Sequence, residues 1–323
     1  MLPNRRTLLA GSAGLLAATA LRGTAFAQAA RTLQFGDVSR TAASWTLELA
    51  RTSGILDHEK LVLETTYVGN NPAVAQQVVG GAFDLGVTTV ETAIRAVESG
   101  APIVMIASGM LKFPYAFMAA PSINGPADLK GKKIILDLPK SFLSYNWNKW
   151  SRANHLEPND VEIVYDGSSA NRFAALVAGA VVLAPVTQPL DFMALDRGYK
   201  KLIDMSTFAN TFGFTGIVAK RDWLDKNVAV AKAFVRAGSA ANDYFYDRKN
   251  RDAAVAALVA FSKVEPAIAG KVYDYYTTQL HPYAKNMALP DANVKAVADY
   301  LLEAGELKSA GPPSKYVDHR FAG

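Results

Sequence analysis

Val79-Gly80-Gly81-Ala82-Phe83-Asp84-Leu85-Gly86-Val87-Thr88-Thr89 and Val177-Ala178-Gly179-Ala180-Val181-Val182-Leu183-Ala184-Pro185-Val186-Thr187 read alike. Each is a helix end, a Gly-Ala turn, a short apolar strand and a threonine at the strand's C-terminal tip. Chance is the alternative explanation, because Gly, Ala and Val are abundant in this chain. Taken as a repeat, the pair predicts two similar α/β units facing each other.

The sequence on either side continues the alternation. Strands are expected over Thr32–Asp37, Leu61–Val68, Asp84–Val87 and Ile103–Ala107, with helices over Thr41–Thr52, Pro72–Val79 and Glu91–Glu98 between them. Tyr115–Ala119 is a further strand. A second unit begins near Pro121. There, strands at Lys133–Asp137, Val161–Tyr165, Val181–Ala184 and Lys201–Asp204 alternate with helices at Ser141–Asn154, Asn171–Ala178 and Pro189–Arg197. Phe214–Ala219 reads as a strand leading back out. Beyond Asp222 the pattern is helical, with Phe234, Ala241 and Phe245 on one face. Strands alternating with helices argue for α/β layers.

The amino terminus reads differently. Arg5-Arg6 precedes an uncharged, Ala- and Leu-rich stretch, and Ala25-Phe26-Ala27 forms an A-x-A cleavage pattern. Residues 1–27 are therefore expected to be a secretory signal. The arginine pair, the leucines after Thr7 and Arg22 favour the twin-arginine route over the ordinary one. Its loss leaves 296 of 323 residues and removes three arginines and no acid, so the formal charge falls from +5 to +2. No Lys/Arg block points to nucleic acid. The absence of cysteine excludes disulfides, thiolate metal sites and thiol nucleophiles.

Seven segments in order carry a resemblance: Gly54-Ile55-Leu56, Gly81 to Gly86, Gly100-Ala101-Pro102-Ile103, Ala127 to Ile134, Thr215 to Ala219, Trp223-Leu224 and Ala304-Gly305-Glu306-Leu307. Together they resemble the ABC-importer solute-binding proteins for aliphatic sulfonates, taurine and nitrate, with their relatives for thiamine pyrimidine precursors. The resemblance covers nearly the whole chain after residue 27. It implies an α/β, two-lobed periplasmic binding protein of type II, with two crossing hinge strands and a ligand cleft between the lobes. The lobes would be 31–115 plus 215–323 and 120–210, with Tyr115–Ala119 and Phe214–Ala219 as the crossings. The sequence departs from the family at Lys140-Ser141, where Gly-Ser is common, and at Val182, where an acid is common.

In open α/β sheets, ligands lie outside the carboxyl ends of strands, where helix N-termini offer N–H groups. The residues at those junctions are Ser39, Arg40, Trp45, Asn70, Asn71, Thr88, Thr89 and Glu91, with Lys140, Ser141, Phe142, Ser168, Ser169, Thr187 and Gln188 in the second unit. Phe212 adds an aromatic near a crossing. Each has a structural alternative. Ser39, Asn71, Ser141 and Ser169 suit helix capping, Trp45 and the phenylalanines suit a core, Lys140 suits solvent, and Glu91 suits a helix first turn. Ser39 and Ser141, opening helices in opposite units, are expected to aim at one ligand.

Signals for catalysis are poor. His58, His155, His281 and His319 are scattered, and no metal-spaced pair, phosphate loop or nucleophile elbow occurs. No cofactor is expected. The leading expectation is a non-catalytic periplasmic monomer that hands a small, anionic, sulfonate- or carboxylate-like solute to an ABC permease and its cytoplasmic ATPase. The alternatives are an enzyme or a sensor subunit on the same fold, acting on an aromatic or pyrimidine-like ligand.

Overall fold

The computed structural model describes residues 29–207 and 211–322. The expected signal, residues 1–27, lies outside the described residues. Strands β1 (Arg31–Asp37), β2 (Leu61–Tyr67), β3 (Leu85–Thr89), β4 (Ile103–Ser108) and β10 (Thr215–Lys220) form one sheet in the order β2-β1-β3-β10-β4. β10 runs antiparallel between β3 and β4. In a second group, β5 (Tyr115–Ala119) runs antiparallel between β8 (Leu183–Thr187) and β9 (Lys200–Asp204). β6 (Lys132–Leu136) pairs in parallel with β7 (Val161–Tyr165). The Val182 N–H donates to the Lys133 carbonyl at 2.9 Å, setting β6 alongside β8. The second sheet therefore reads β7-β6-β8-β5-β9. Its order repeats that of the first, with β5 in the place of β10. Each sheet takes its one antiparallel strand from a segment that has just left the other. This is the two-lobed α/β fold expected.

The repeat holds down to single hydrogen bonds. α3 (Asn71–Gly80) leads to β3, and α6 (Ser169–Val177) leads to β8. Gly81 and Gly179, just after the two helices, have φ of +80° and +73°, the left-handed conformation in which a Cβ would be strained. The Thr89 N–H donates to Asn71 Oδ1 at 3.1 Å, and the Thr187 N–H donates to Ser169 Oγ at 2.9 Å. In each lobe the first residue of the helix thus secures the tip of the next strand.

Two elements depart most from the expected boundaries. The first helix was expected from Thr41, but Ala42–Ser44 is a 3-10 turn and α1 begins at Trp45 (Trp45–Thr52). Thr41 caps the turn, and the Ser44 hydroxyl donates to Asp37. The strand expected over Val181–Ala184 instead runs through Pro185 to Thr187. Pro185 lacks a ladder donor and reads as a terminator, yet its carbonyl is used by Arg172 Nε at 2.7 Å.

The remaining helices are α2 (Ile55–His58), α4 (Val90–Glu98), α5 (Phe142–Ala153), α7 (Leu190–Asp196), α8 (Arg221–Lys226), α9 (Val228–Tyr246), α10 (Arg251–Ser262), α11 (Pro266–Tyr275) and α12 (Asp291–Glu303). α9 buries Phe234, Ala241 and Phe245, the face expected from their spacing, and packs on α1. α12 packs on α4. Among the described residues, no helix is long and apolar enough to cross a membrane.

Candidate functional site

The strand tips of the two sheets meet around a cavity of about 50 Å3. Asp37, Ser39 and Asn71 reach it from the first sheet, and Gly167, Ser169 and Thr187 from the second. Tyr115 and Thr215, the first residues of the crossing strands β5 and β10, close it with Phe214. A single water needs roughly 10–15 Å3 on the same measure, so this conformation holds only a short, polar guest. Asn71 and Ser169, equivalent in the repeat, face each other's lobes across it.

Of the residues expected from sequence, the cavity brings together Ser39, Asn71, Ser169 and Thr187. Asn70 and Ser168 cap α3 and α6 instead, accepting from the N–H groups of Ala73 and Asn171. Thr88 donates its hydroxyl to the Asn71 carbonyl, and Thr89 caps α4. Gln188 is buried: its amide donates to Asp191 Oδ2 at 2.7 Å and accepts from the Tyr276 hydroxyl at 3.2 Å. The Arg40 guanidinium lies over the Tyr67 ring at 5.0 Å, outside the cavity.

Several expectations are corrected. Trp45 is fully buried, donates Nε1–H to the Ala254 carbonyl at 2.8 Å and packs edge-on against Phe245, so it belongs to the core. Phe142 and Phe212 stack on each other with centroids 3.9 Å apart, within an aromatic cluster that includes Phe113 and Tyr300. Ser141 does not share a site with Ser39. It is 3% exposed, donates to Asp137, accepts from the Ser144 N–H at 3.0 Å, and lines a separate groove of about 440 Å3 with Glu91 and Lys140.

That groove is bridged by the chain's own charges. The opening of α5 is taken by Glu91, whose Oε2 accepts from the Phe142 N–H at 3.1 Å. Lys140 pairs with Glu306 at 3.2 Å, and Arg95 donates to the Lys140 carbonyl at 2.5 Å. Burial, with Asp137 and Glu306 nearby, lifts the Glu91 carboxyl to about 8 despite the neighbouring Arg95. The folded state therefore favours protonated Glu91. Its contribution is fully present below the ordinary value of 4.5 and is lost as pH rises through 8. Glu91→Gln keeps an acceptor for Phe142 and removes the titration. It is expected to match the wild type near pH 4.5 and to be more stable above pH 8. The gain should be on the order of 1–2 kcal/mol, after discounting for the partial exposure of the side chain. Denaturant titrations at the two pH values measure it; equal stability at high pH would contradict the assignment.

Sequence reasoning missed Asp37, Tyr115, Gly167, Thr215 and Arg172. Asp37 is buried at the tip of β1, and burial lifts its carboxyl to about 6. Its position, the last residue of the first strand, was the available signal. Tyr115 and Thr215 open strands read as hinges, and nothing local marks them as lining. Arg172 is wholly buried one turn into α6, and no local sequence signal sets it apart from the other residues of that helix. Among the described residues, no group of three or more metal-ligating side chains could hold an ion.

A search of curated proteins by sequence finds no match. Solved structures share the fold at low identity. The alkanesulfonate-binding protein SsuA from Xanthomonas axonopodis pv. citri, bound to MOPS, is 18% identical with a TM-score of 0.71, over 89% of this chain and 98% of that one. The periplasmic nitrate-binding protein NrtA from Synechocystis PCC 6803 is 13% identical with a TM-score of 0.72, over 91% and 87%. A mutant of DszB in complex with biphenyl-2-sulfinic acid is 15% identical with a TM-score of 0.64, over 90% and 97%. The family model described as NMT1/THI5 like matches residues 47–251, from within α1 through strands β2 to β10 to the start of α10, and the chain belongs to that family.

Proposed function

We propose that this protein is the exported, periplasmic solute-binding component of an ABC importer, and that it delivers its cargo unchanged to a permease coupled to a cytoplasmic ATPase. Its lobes, 31–115 plus 215–323 and 120–210, close on the solute as a monomer, after a twin-arginine signal over residues 1–27 has been removed. The observation that carries this reading is the cavity itself, lined by Asn71 and Ser169, the same position of the internal repeat in each lobe. A site built equally from two lobes binds best when they are together, so solute binding and closure are coupled. The structural neighbours named for sulfonate and nitrate binding support the same reading.

The solute is small, with an anionic, sulfonate- or carboxylate-like group. Lys140 and the α5 opening do not supply that preference, because Glu306 and Glu91 engage them. The DszB likeness names the competing reading, an enzyme on the same fold. Thermal-shift screening against sulfonates, nitrate, carboxylates and pyrimidines tests capture. A solute at 100 times its Kd adds about 2.7 kcal/mol of stability. Mass spectrometry of solute recovered after long incubation is expected to show it unchanged. A product in more than stoichiometric yield would overturn the binding-only reading.

A further inference from the structure

The lobes meet on two flanks of the cavity, and each meeting uses a backbone N–H at a helix opening. On one flank the Ala42 N–H, in the turn before α1, donates to the Gln188 carbonyl at 3.2 Å. On the other the Phe142 N–H, at the first residue of α5, donates to Glu91 Oε2 at 3.1 Å. The internal repeat relates the two. α1 follows β1 as α5 follows β6, and Gln188 and Glu91 stand just past the equivalent strand-tip residues Thr187 and Thr89. The first flank is joined through a carbonyl, which does not titrate. The second is joined through a carboxyl, which does.

The second flank carries further contacts between the lobes. Lys140 pairs with Glu306 at 3.2 Å, and the Tyr145 hydroxyl donates to Glu303 at 2.5 Å. Around Glu91 itself, charge of its own sign prevails. Arg95, one turn on in α4, sends Nη1 to Glu306 at 3.3 Å and Nη2 to the Lys140 carbonyl at 2.5 Å. Asp137 faces Glu91 from the end of β6, and Glu306 faces it from beyond α12. Tyr300 of α12 and Tyr115 of β5 stand near it and bring no positive charge. Burial, before any of these charges, lifts the Glu91 carboxyl to about 8. Asp137 is different. Its partners Ser141 and Arg172 belong to its own lobe and stay with it however the lobes lie. Glu91 is buried against the opposite lobe, so parting the lobes returns it to water and to its ordinary value of 4.5.

We propose that the contact between α4 and α5 is a proton-operated clasp: neutral Glu91 fastens the first lobe to the opening of α5, and its ionisation lets the lobes part on that flank. This rests on the closure reading above and deepens it, because closing then takes up a proton and the solute is held more firmly in acid. The clasp's contribution to closure is fully present below 4.5 and is lost as pH rises through 8.

The chain has no cysteine. Gln77→Cys on α3 and Asn148→Cys on α5, both exposed positions, therefore carry one nitroxide in each lobe of the whole protein. Double electron–electron resonance without solute reads the ratio of near to far lobes. Measurements at about pH 6.5 and about pH 8.5 lie above the value of about 6 to which burial lifts Asp37 and Asp191, so Glu91 is the acid they report. The ratio is expected to fall about tenfold or more between the two, one proton being lost on opening. With Glu91→Gln, which keeps the acceptor for Phe142 and cannot ionise, the ratio should be the same at both. An unchanged ratio in the wild-type background, or the same fall with Glu91→Gln, would overturn the proposal. If the pH response appears and no solute in the thermal-shift panel binds, solute capture falls and the clasp stands. If a panel solute draws the lobes together equally at both pH values in both backgrounds, the clasp falls and solute capture stands.

Discussion

Gly167→Leu is expected to weaken solute binding at least about 100-fold, equivalent to about 2.8 kcal/mol, and to abolish compaction on binding, with little change in the stability of the solute-free protein. Gly167 lies between β7 and α6, and a Cβ there would stand 3.2 Å from Asn70 Cβ and 3.7 Å from the Gly69 carbonyl oxygen. Those atoms belong to the segment between β2 and α3, on the other side of the cavity. The glycine therefore faces the other lobe with no room for a side chain, and a leucine there would be a wedge. Its φ is outside the left-handed region, so the backbone accepts a larger residue without strain. Two loops are easier to part than a core is to deform, so the lobes should separate and the fold should survive. Small-angle scattering with and without the solute that best stabilises the wild type reads closure, and calorimetry reads affinity. Gly125→Leu, where an added Cβ meets nothing within 4 Å, is the control. Normal binding and compaction in Gly167→Leu would show that the cavity is not a closure site.

What the sequence revealed and what it hid divide along the range of the interactions. The repeat was legible because its signals are local: a helix end, a glycine that must be left-handed, an apolar strand and a threonine at its tip. Asn71 and Ser169 were named as caps or contacts; in the structure the caps are Asn70 and Ser168, while Asn71 and Ser169 hold the strand tips and line the cavity. Interactions across the lobes were not legible. Nothing near Glu91 in the chain announces the Phe142 N–H, 51 residues on, that its carboxyl oxygen accepts from. Nothing near Lys140 announces Glu306. Lys140 was therefore read as a solvated lysine or a solute contact and Glu91 as a first-turn acid or a solute contact, whereas the chain's own groups engage both. Arg172 was hidden for the complementary reason. An arginine on an amphipathic helix reads as a solvent residue, and only the tertiary fold shows the head group turned inward between two carbonyls.

Trp45→Ala is expected to cost about 3–5 kcal/mol of stability while leaving the affinity of the folded protein unchanged. From sequence, Trp45 stands one turn into a helix that opens at a strand tip, where an aromatic platform and a core residue have the same local pattern. The structure separates them. The indole has no solvent contact, and its ring lies 4.9 Å from Phe245, 6.1 Å from Tyr273 and 6.0 Å from Tyr276 between centroids. With Nε1–H on the Ala254 carbonyl, one side chain joins α1 to α9, α10, α11 and the turn that follows α11. Truncation leaves a cavity lined by large aromatics that cannot collapse easily, which places the loss toward the upper end of the range for buried tryptophan. For a chain of this size each kcal/mol lowers Tm by roughly 2–4 °C, so a fall of about 6–20 °C should be seen. Trp45→Phe keeps most of the packing and loses the indole donor, and it should fall between the two. If Trp45 were a platform for solute, the pattern would invert: affinity would collapse while Tm without solute barely moved. Parallel melting curves and titrations of the two variants distinguish the roles directly.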